Sequence, residues 1–291
     1  MEWFEETLHH NWRQTIEIKE ILFRDKTDHQ DMIIFQSDRC GRVLALDNIV
    51  QTTESDEFIY HEMIAHMPII GHGNAKKVLI IGGGDGGTAR EALKHKTIEK
   101  VTMVEIDRYV VDLSEKYLPS LNGGAFQDPR FELIIEDGLK YTAETDERFD
   151  VVIVDSTDPV GPGAVLFTES FYGQCKRCLT EGGILITQSG VPYFQPDELD
   201  MIPNNLRPHF KDVWFFVAPI PTYVGGHMAF GWATDDAAKR HVPVEELRKR
   251  LDTTEALKAS PDMRQYSPEV HFGAFAIPPW IQKLAKLETN S

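Results

Sequence analysis

The sequence predicts an α/β fold: a doubly wound, mostly parallel sheet preceded by a small antiparallel β unit. Three observations carry that expectation. From Val78 onward short apolar runs alternate with helical patterns, a run of glycines follows the first of those strands, and the stretch from Thr15 to Thr53 holds only short β-type segments. The 291 residues give room for one large domain, or for a standard α/β domain with a smaller partner. The 42% hydrophobic and 26% charged residues are those of an ordinary folded protein and exclude a disordered or fibrous chain.

In chain order, Ile16–Phe23, Asp31–Gln36 and Arg42–Leu46 are rich in β-branched and large apolar residues, with turn-forming residues between them. Glu54–Ile70 then places Phe58, Ile59, Met63, Ile64 and Met67 at helical spacing. Gly71-His72-Gly73-Asn74 marks the expected boundary, so that residues 1–70 form a β domain with its linking helix and residues 71–291 the sheet domain. The expected strands are Val78–Ile81, Val101–Glu105, Phe131–Ile135, Val151–Asp155 and Gly183–Gln188, with helices over Thr88–His95, Arg108–Leu118 and Thr168–Leu179. Continuous apolar runs such as Val151-Val152-Ile153-Val154 suit strands covered on both faces. Val213–Ile220 and His227–Thr234 predict a terminal hairpin, covered by helices over Val244–Arg250 and Trp280–Leu287.

The formal charge of −16 repels phosphate backbones and anionic lipid, so neither a nucleic acid nor a membrane is an expected partner. The cluster Arg248-Lys249-Arg250 reads as a solvated helix face. Cys175 and Cys178 fall inside an expected helix with no second pair nearby, and read as packing residues rather than a metal or redox site. The acidic start Met1-Glu2-Trp3-Phe4-Glu5-Glu6 and the absence of any long apolar run predict a soluble, cytoplasmic protein.

In such sheets ligands bind at the carboxyl ends of the strands, and the chemistry-bearing residues gather there. Gly82-Gly83-Gly84-Asp85-Gly86-Gly87 closes the first strand and opens a helix, allowing close backbone approach to a ligand. Glu105 follows Gly82 by 23 residues, near the spacing of a carboxylate that accepts from ribose hydroxyls. Together they predict an adenosine-type ligand. Asp85 bears on which one, because a carboxylate inside the loop opposes pyrophosphate by ~4 kcal/mol for unit charges about 4 Å apart at an effective dielectric of about 20. A phosphate-free, cationic sulfonium nucleoside fits better than a dinucleotide. Asp137-Gly138 at the next strand end serves either as an adenine contact or as a helix N-cap, or both. Asp155 and Asp158, three apart in a turn, repel each other unless a cation lies between them, and with Asp85 they predict three acids converging on one crevice. Asp158 capping a turn beside Pro159 and facing solvent is the alternative. The cleft lacks the histidine partners of a zinc site, so the reading names no metal and favours an organic polycation. A methyltransferase, a non-catalytic polyamine-binding protein and a dinucleotide oxidoreductase remain as alternatives.

Gly82–Gly87, Val104-Glu105-Ile106-Asp107, Glu136-Asp137-Gly138, Asp155-Ser156-Thr157-Asp158-Pro159-Val160-Gly161-Pro162 and the upstream stretch from Val50 to Glu62 together resemble the spermidine synthase family of polyamine aminopropyltransferases. So do Thr27-Asp28-His29-Gln30 and Ile220-Pro221-Thr222-Tyr223-Val224-Gly225-Gly226, and the resemblance spans Trp3 to about Ile277. It implies a Rossmann-like methyltransferase fold behind the small β domain, in a homodimer or homotetramer. The implied reaction moves an aminopropyl group from decarboxylated S-adenosylmethionine, a co-substrate, to putrescine, with no separate cofactor. The resemblance implies that Glu105, Asp137, Gly138, Gln30 and Pro162, with the loop glycines Gly82 and Gly84, hold the nucleoside. It further implies that Asp85, His61 and Asp158 line the amine tunnel, that Gln51, Tyr60 and Tyr223 shape it, and that Asp155 is the base. Repulsion from Asp85 is expected to reject the carboxylate of S-adenosylmethionine itself. Residues 236–268 receive no functional reading.

Overall fold

A computed structural model of the chain describes residues 2–159, 161–253 and 263–287. Before residue 54, strands β1 (Glu2–Glu5) and β2 (Thr15–Ile18) form an antiparallel ribbon. Strands β3 (Glu20–Lys26), β4 (Asp31–Ser37), β5 (Gly41–Leu46) and β6 (Ile49–Thr53) form a second antiparallel sheet in sequence order. The single segment expected over Ile16–Phe23 therefore divides at Lys19. Ile16 and Ile18 bury with Phe4, Phe35 and Val43, while Glu20 opens a strand that pairs with β4. Period-two alternation tells which face is buried and carries no signal for the partner strand. The β5–β6 turn places Asp47 and Asn48 at φ 49° and 60°, the left-handed pair that a two-residue hairpin needs.

Helix α1 (Glu57–His72) follows, closed by Gly73 at φ 89°, whose N–H donates to the Ile69 carbonyl. Its side chains Met63, Ile64, Met67 and Ile70 pack with Val78, Ile80, Val151 and Ile186 of the larger sheet. The expected boundary at Gly71–Asn74 lies at the end of this helix, while its packing joins it to the larger unit. Arg250 reaches back to the Ile70 and Gly71 carbonyls, so that member of the basic cluster is a helix clamp and not a solvated side chain.

The larger sheet contains β7 (Lys77–Gly82), β8 (Lys100–Glu105), β9 (Phe131–Ile135), β10 (Phe149–Asp155), β11 (Leu179–Gln188), β12 (Asp212–Pro219) and β13 (His227–Thr234). Their order among the described residues is β12-β13-β11-β10-β7-β8-β9. Strands β11, β10, β7, β8 and β9 run parallel, and β13 and β12 complete one edge antiparallel. The chain proceeds outward from β7 through β8 and β9, then returns to β10 on the other side. The crevice between β7 and β10 is thus the topological switch point, where ligands bind in this architecture. Cys175 and Cys178, on helix Glu169–Cys178, are fully buried with Phe149, Phe171 and Leu185, as packing residues should be.

Candidate active site

The switch point is built from backbone first. Strands β7 and β10 end in register, Gly82 beside Asp155. Gly82 has φ 83°, and a Cβ there would lie 2.2 Å from the Asp155 carbonyl oxygen. Gly83 donates its N–H to that same oxygen at 2.9 Å. Glycine is what lets the loop close against the end of β10, so the loop and the position of Asp155 are one construction.

The Asp155 carboxylate is held at both oxygens: the Tyr60 hydroxyl donates to Oδ1 at 2.6 Å and Thr88 Oγ1 donates to Oδ2 at 2.7 Å. Burial raises its pKa above the usual carboxylate range, despite the nearby His61 and these two hydrogen bonds, and Asp85 adds to the rise. A carboxylate fixed at two points and made more basic by its surroundings is suited to accept a proton.

On one side of Asp155 lies Glu105, at the end of β8. Its Oε1 accepts from the Asp107 N–H at 2.9 Å, and burial pushes the carboxyl up to about 7 in spite of backbone hydrogen bonds. Asp137 caps helix Gly138–Glu144 by accepting from the Leu139 N–H at 2.8 Å, so the N-cap reading holds, and it also faces the cavity. Gln30 donates to Asp107 Oδ2 at 3.1 Å and Thr27 donates to the same oxygen at 2.7 Å, which ties the antiparallel unit to this side.

On the other side Asp85 and Asp158 share the crevice with Asp155, as the sequence predicts, and each has its own partners. Asp85 Oδ2 lies 3.4 Å from His61 Nε2, and His61 Nδ1 lies 2.5 Å from Glu57 Oε2. Against burial, Asp85 and Glu57 hold His61 up at about 10, and against burial the His61 charge holds Asp85 below the usual carboxylate range. Strand order and spacing reveal a carboxylate, not the counter-ion that a helix before the strand brings to it. Gln195 Nε2 donates to Asp158 Oδ1 at 2.9 Å and to Glu198 Oε1 at 2.8 Å, while Glu6 accepts from the Val50 N–H at 2.9 Å. Burial pushes Glu6 up to about 7 and Glu198 up to about 8, and the Asp158 charge adds to both. Asp158 therefore faces the crevice and not solvent. Tyr223 stands edge-on to Tyr60 with ring centroids 6.0 Å apart and donates its hydroxyl to the Gln51 carbonyl.

Asp155, Gly82 and Gly84, together with Gln30, Glu105, Asp137 and Gly138 and with Gln51, Tyr60, His61, Asp85, Asp158 and Tyr223, all line one cavity of about 470 Å³. Pro162 stands in the turn Gly161–Phe167, and its side chain lies outside the described residues. Sequence reasoning missed Glu6, Thr88, Gln195 and Glu198. Glu6 sits in an acidic amino-terminal run, and Glu198 in the first turn of a helix, where an acid is ordinary, so neither carried a signal.

With this geometry in place, comparison with known proteins is informative. Residues 57–242 match the Spermine/spermidine synthase domain, and residues 2–54 match the Spermidine synthase tetramerisation domain. A polyamine aminopropyltransferase of Pseudomonas syringae pv. tomato is 50% identical over 287 residues, covering 99% of both chains. One from a Ruegeria species is 52% identical over 282 residues, covering 97% of this chain and 98% of its own. A spermidine synthase solved in complex with the transition state analogue AdoDATO superposes with a TM-score of 0.91 at 35% identity, covering 99% of this chain and 96% of its own. The spermidine synthase of Thermotoga maritima gives 0.90 at 35% identity, with 99% and 95% covered. The chain belongs to the spermine/spermidine synthase family.

Proposed function

We propose that this polyamine aminopropyltransferase makes spermidine from putrescine and decarboxylated S-adenosylmethionine, with Asp155 as the base. The observation that carries the reading is the position of Asp155. It ends β10 in a cavity also lined by Glu105 and Asp137, read as the nucleoside side, and by Asp85, Asp158 and Glu6, read as the amine side. That a spermidine synthase similar over 99% of this chain was solved with the transition state analogue AdoDATO supports a reaction of this class.

A primary amine with a pKa near ~10 is protonated at neutral pH and has no lone pair to attack with. Asp155 takes that proton. The neutral nitrogen then forms a bond to the propyl carbon next to sulphur as the carbon–sulphur bond breaks. Its electron pair returns to sulphur, giving a neutral thioether, methylthioadenosine, and a secondary ammonium; the proton on Asp155 leaves to solvent. The sulfonium is already an activated leaving group, so the chemistry asks for no metal or redox cofactor. Alignment of the two substrates can supply about 7 to 11 kcal/mol in well-oriented systems. Glu105 is assigned to the ribose hydroxyls, Asp137 and Gly138 to adenine, with Gln30, Gly82, Gly84 and Pro162 around the nucleoside. Asp85, His61 and Asp158 are assigned to the diamine, in a wall shaped by Gln51, Tyr60 and Tyr223.

The remaining expectations belong to the same reading. A homodimer or homotetramer agrees with the match of residues 2–54 to a tetramerisation domain. A cytoplasmic enzyme without nucleic-acid or membrane partners agrees with the charge of −16; among the described residues no helix is long and apolar enough to cross a membrane. We place the division between the units before Glu57, because α1 packs with the parallel sheet. The test is incubation with decarboxylated S-adenosylmethionine and a panel of amines, with mass detection of products. Spermidine and methylthioadenosine in equal amounts are expected with putrescine; release of methylthioadenosine with none of the amines would overturn the reading.

A further inference from the structure

We propose that Glu57, clamped by Arg90, is a positioning residue that keeps His61 as an imidazolium, and that this fixed cation beside Asp155 favours the neutral, attacking form of the substrate amine. The proposal rests on the amine side assigned above and adds two residues, Glu57 and Arg90, that the reaction scheme leaves without a part.

The geometry leaves the ring little choice. Glu57 and His61 stand one helical turn apart on α1, so their side chains meet on one face. His61 Nδ1 is 2.5 Å from a Glu57 oxygen and Nε2 is 3.4 Å from an Asp85 oxygen. Nδ1 is hydrogen-bonded to Glu57, and a second carboxylate stands at ion-pair distance from Nε2, so two negative charges flank the ring and favour its doubly protonated form, the imidazolium. Glu57 is itself held by Arg90, which donates from Nη2 at 2.9 Å and from Nη1 at 3.2 Å. Arg90 is fixed in turn by Glu91 at 2.7 Å and by the Leu121 carbonyl at 2.7 Å. The ring cannot swing away, because it lies against Gly87, where a Cβ would come within 2.3 Å of it. The four side chains from Asp85 through His61 and Glu57 to Arg90 are only 13%, 3%, 10% and 16% exposed, so water screens the chain of charges little.

The groups facing His61 are Glu57 and Tyr60 from its own helix, Asp85 from the glycine loop and, at longer range, Asp155 from β10. Burial works against protonation of the ring, and the two flanking carboxylates outweigh it, holding the pKa at about 10. A fixed positive charge disfavours a second one close by. An ammonium group brought up to Asp155 therefore gives up its proton more readily than it would beside carboxylates alone, and the same charge, which lowers the Asp155 pKa, keeps that carboxylate ionised to receive it. Asp85, neutralised by His61, orients the subsite more than it charges it.

The first test needs only the wild-type enzyme. With nitrogen-15-labelled histidine, the His61 signals, identified by their loss in His61→Gln, are expected to report both ring nitrogens protonated at about pH 8, where an unperturbed histidine is neutral. A neutral His61 at that pH overturns the proposal, whether or not the enzyme releases methylthioadenosine. Absence of that release from the wild type would instead overturn the aminopropyl reading and leave the histidine result standing. The second test is the pH profile of Glu57→Gln. The rising limb of kcat is expected to move up by about one pH unit, the low end of what a neighbouring charge does, so that kcat below the limb falls about tenfold while the diamine KM stays level or drops. An unmoved limb with a raised KM would overturn the proposal, and if Glu57→Gln does not fold the wild-type histidine measurement alone decides.

Discussion

Replacing Asp155 by asparagine keeps the shape of the side chain and removes its basicity, and the structure sets the size of the effect. The carboxylate accepts from Tyr60 at one oxygen and from Thr88 at the other. An amide has one oxygen to offer, so one buried hydroxyl loses its acceptor, at a cost of about 1–3 kcal/mol in stability. For a chain of this size that is a fall in Tm on the order of 2–10 °C. The larger effect is on turnover. Loss of a general base lowers kcat by about a hundredfold to ten-thousandfold. Glu105 and Asp137 are untouched, so the affinity for methylthioadenosine should stay within a few-fold of wild type. The residual kcat should climb with pH toward the amine's own pKa of about 10, because the amine must then lose its proton to water. Steady-state release of methylthioadenosine at saturating concentrations of both substrates, with calorimetric binding of the nucleoside, reads all of this. Turnover near wild type at neutral pH, in a variant that melts only slightly earlier, would refute the assignment of Asp155 as base.

Other consequences are as specific. If Glu105 accepts from the ribose as proposed, Glu105→Gln is expected to raise the KM for decarboxylated S-adenosylmethionine about tenfold to a hundredfold, with kcat changed much less; an unchanged nucleoside KM would remove Glu105 from that role. Gly82→Ala has to adopt φ 83° with its Cβ 2.2 Å from the Asp155 carbonyl, so a lower Tm and a displaced base, seen as lost activity in whatever protein folds, are expected. Stability should also depend on pH through the buried carboxyls. Glu6 and Glu105 are raised from 4.5 to about 7 and Glu198 from 4.5 to about 8, so the stability they lend is complete below about pH 4.5 and is lost as the pH rises through 7 to 8. Putrescine favours the ionised form of the acids it meets, and its increment in Tm is expected to be larger at about pH 8 than at about pH 6; equal increments would mean that Glu6 does not face the diamine.

The sheet was legible because parallel strands buried on both faces leave uninterrupted apolar runs, and because the polar residues that end them are where ligands bind. Glu105, Asp137 and Asp155 are each found at or just past the end of a strand that its own residues announce. What could not be read is pairing across sequence distance. Lys19 separates two strands that differ only in their partners. Thr88 looks like an ordinary helix-opening threonine until β10 brings Asp155 to it. The one-turn spacing of Glu57 and His61 is visible in the sequence, but the ion pair matters only because Arg90 and Asp85 arrive from the next helix and the glycine loop, 33 and 24 residues further on.

On the proposed assignment, that pairing bears on which carboxylates would reject S-adenosylmethionine. On sequence alone the rejection of its carboxylate falls to Asp85, taken as a bare anion. With His61 held as a cation 3.4 Å away, an approaching carboxylate meets at Asp85 a nearly neutral pair, and the repulsion available there is that of a dipole. Asp155 and Asp158 are different. Their hydrogen bonds come from the hydroxyls of Tyr60 and Thr88 and from the amide of Gln195, donors that orient a carboxylate without cancelling its charge. An anionic tail in the cavity would face two carboxylates with no cation paired directly to them, whereas the ammonium of the decarboxylated substrate would be attracted by both. The discrimination therefore follows the two carboxylates with neutral partners, and Asp85 serves to hold in place the cation that makes the attacking amine a nucleophile.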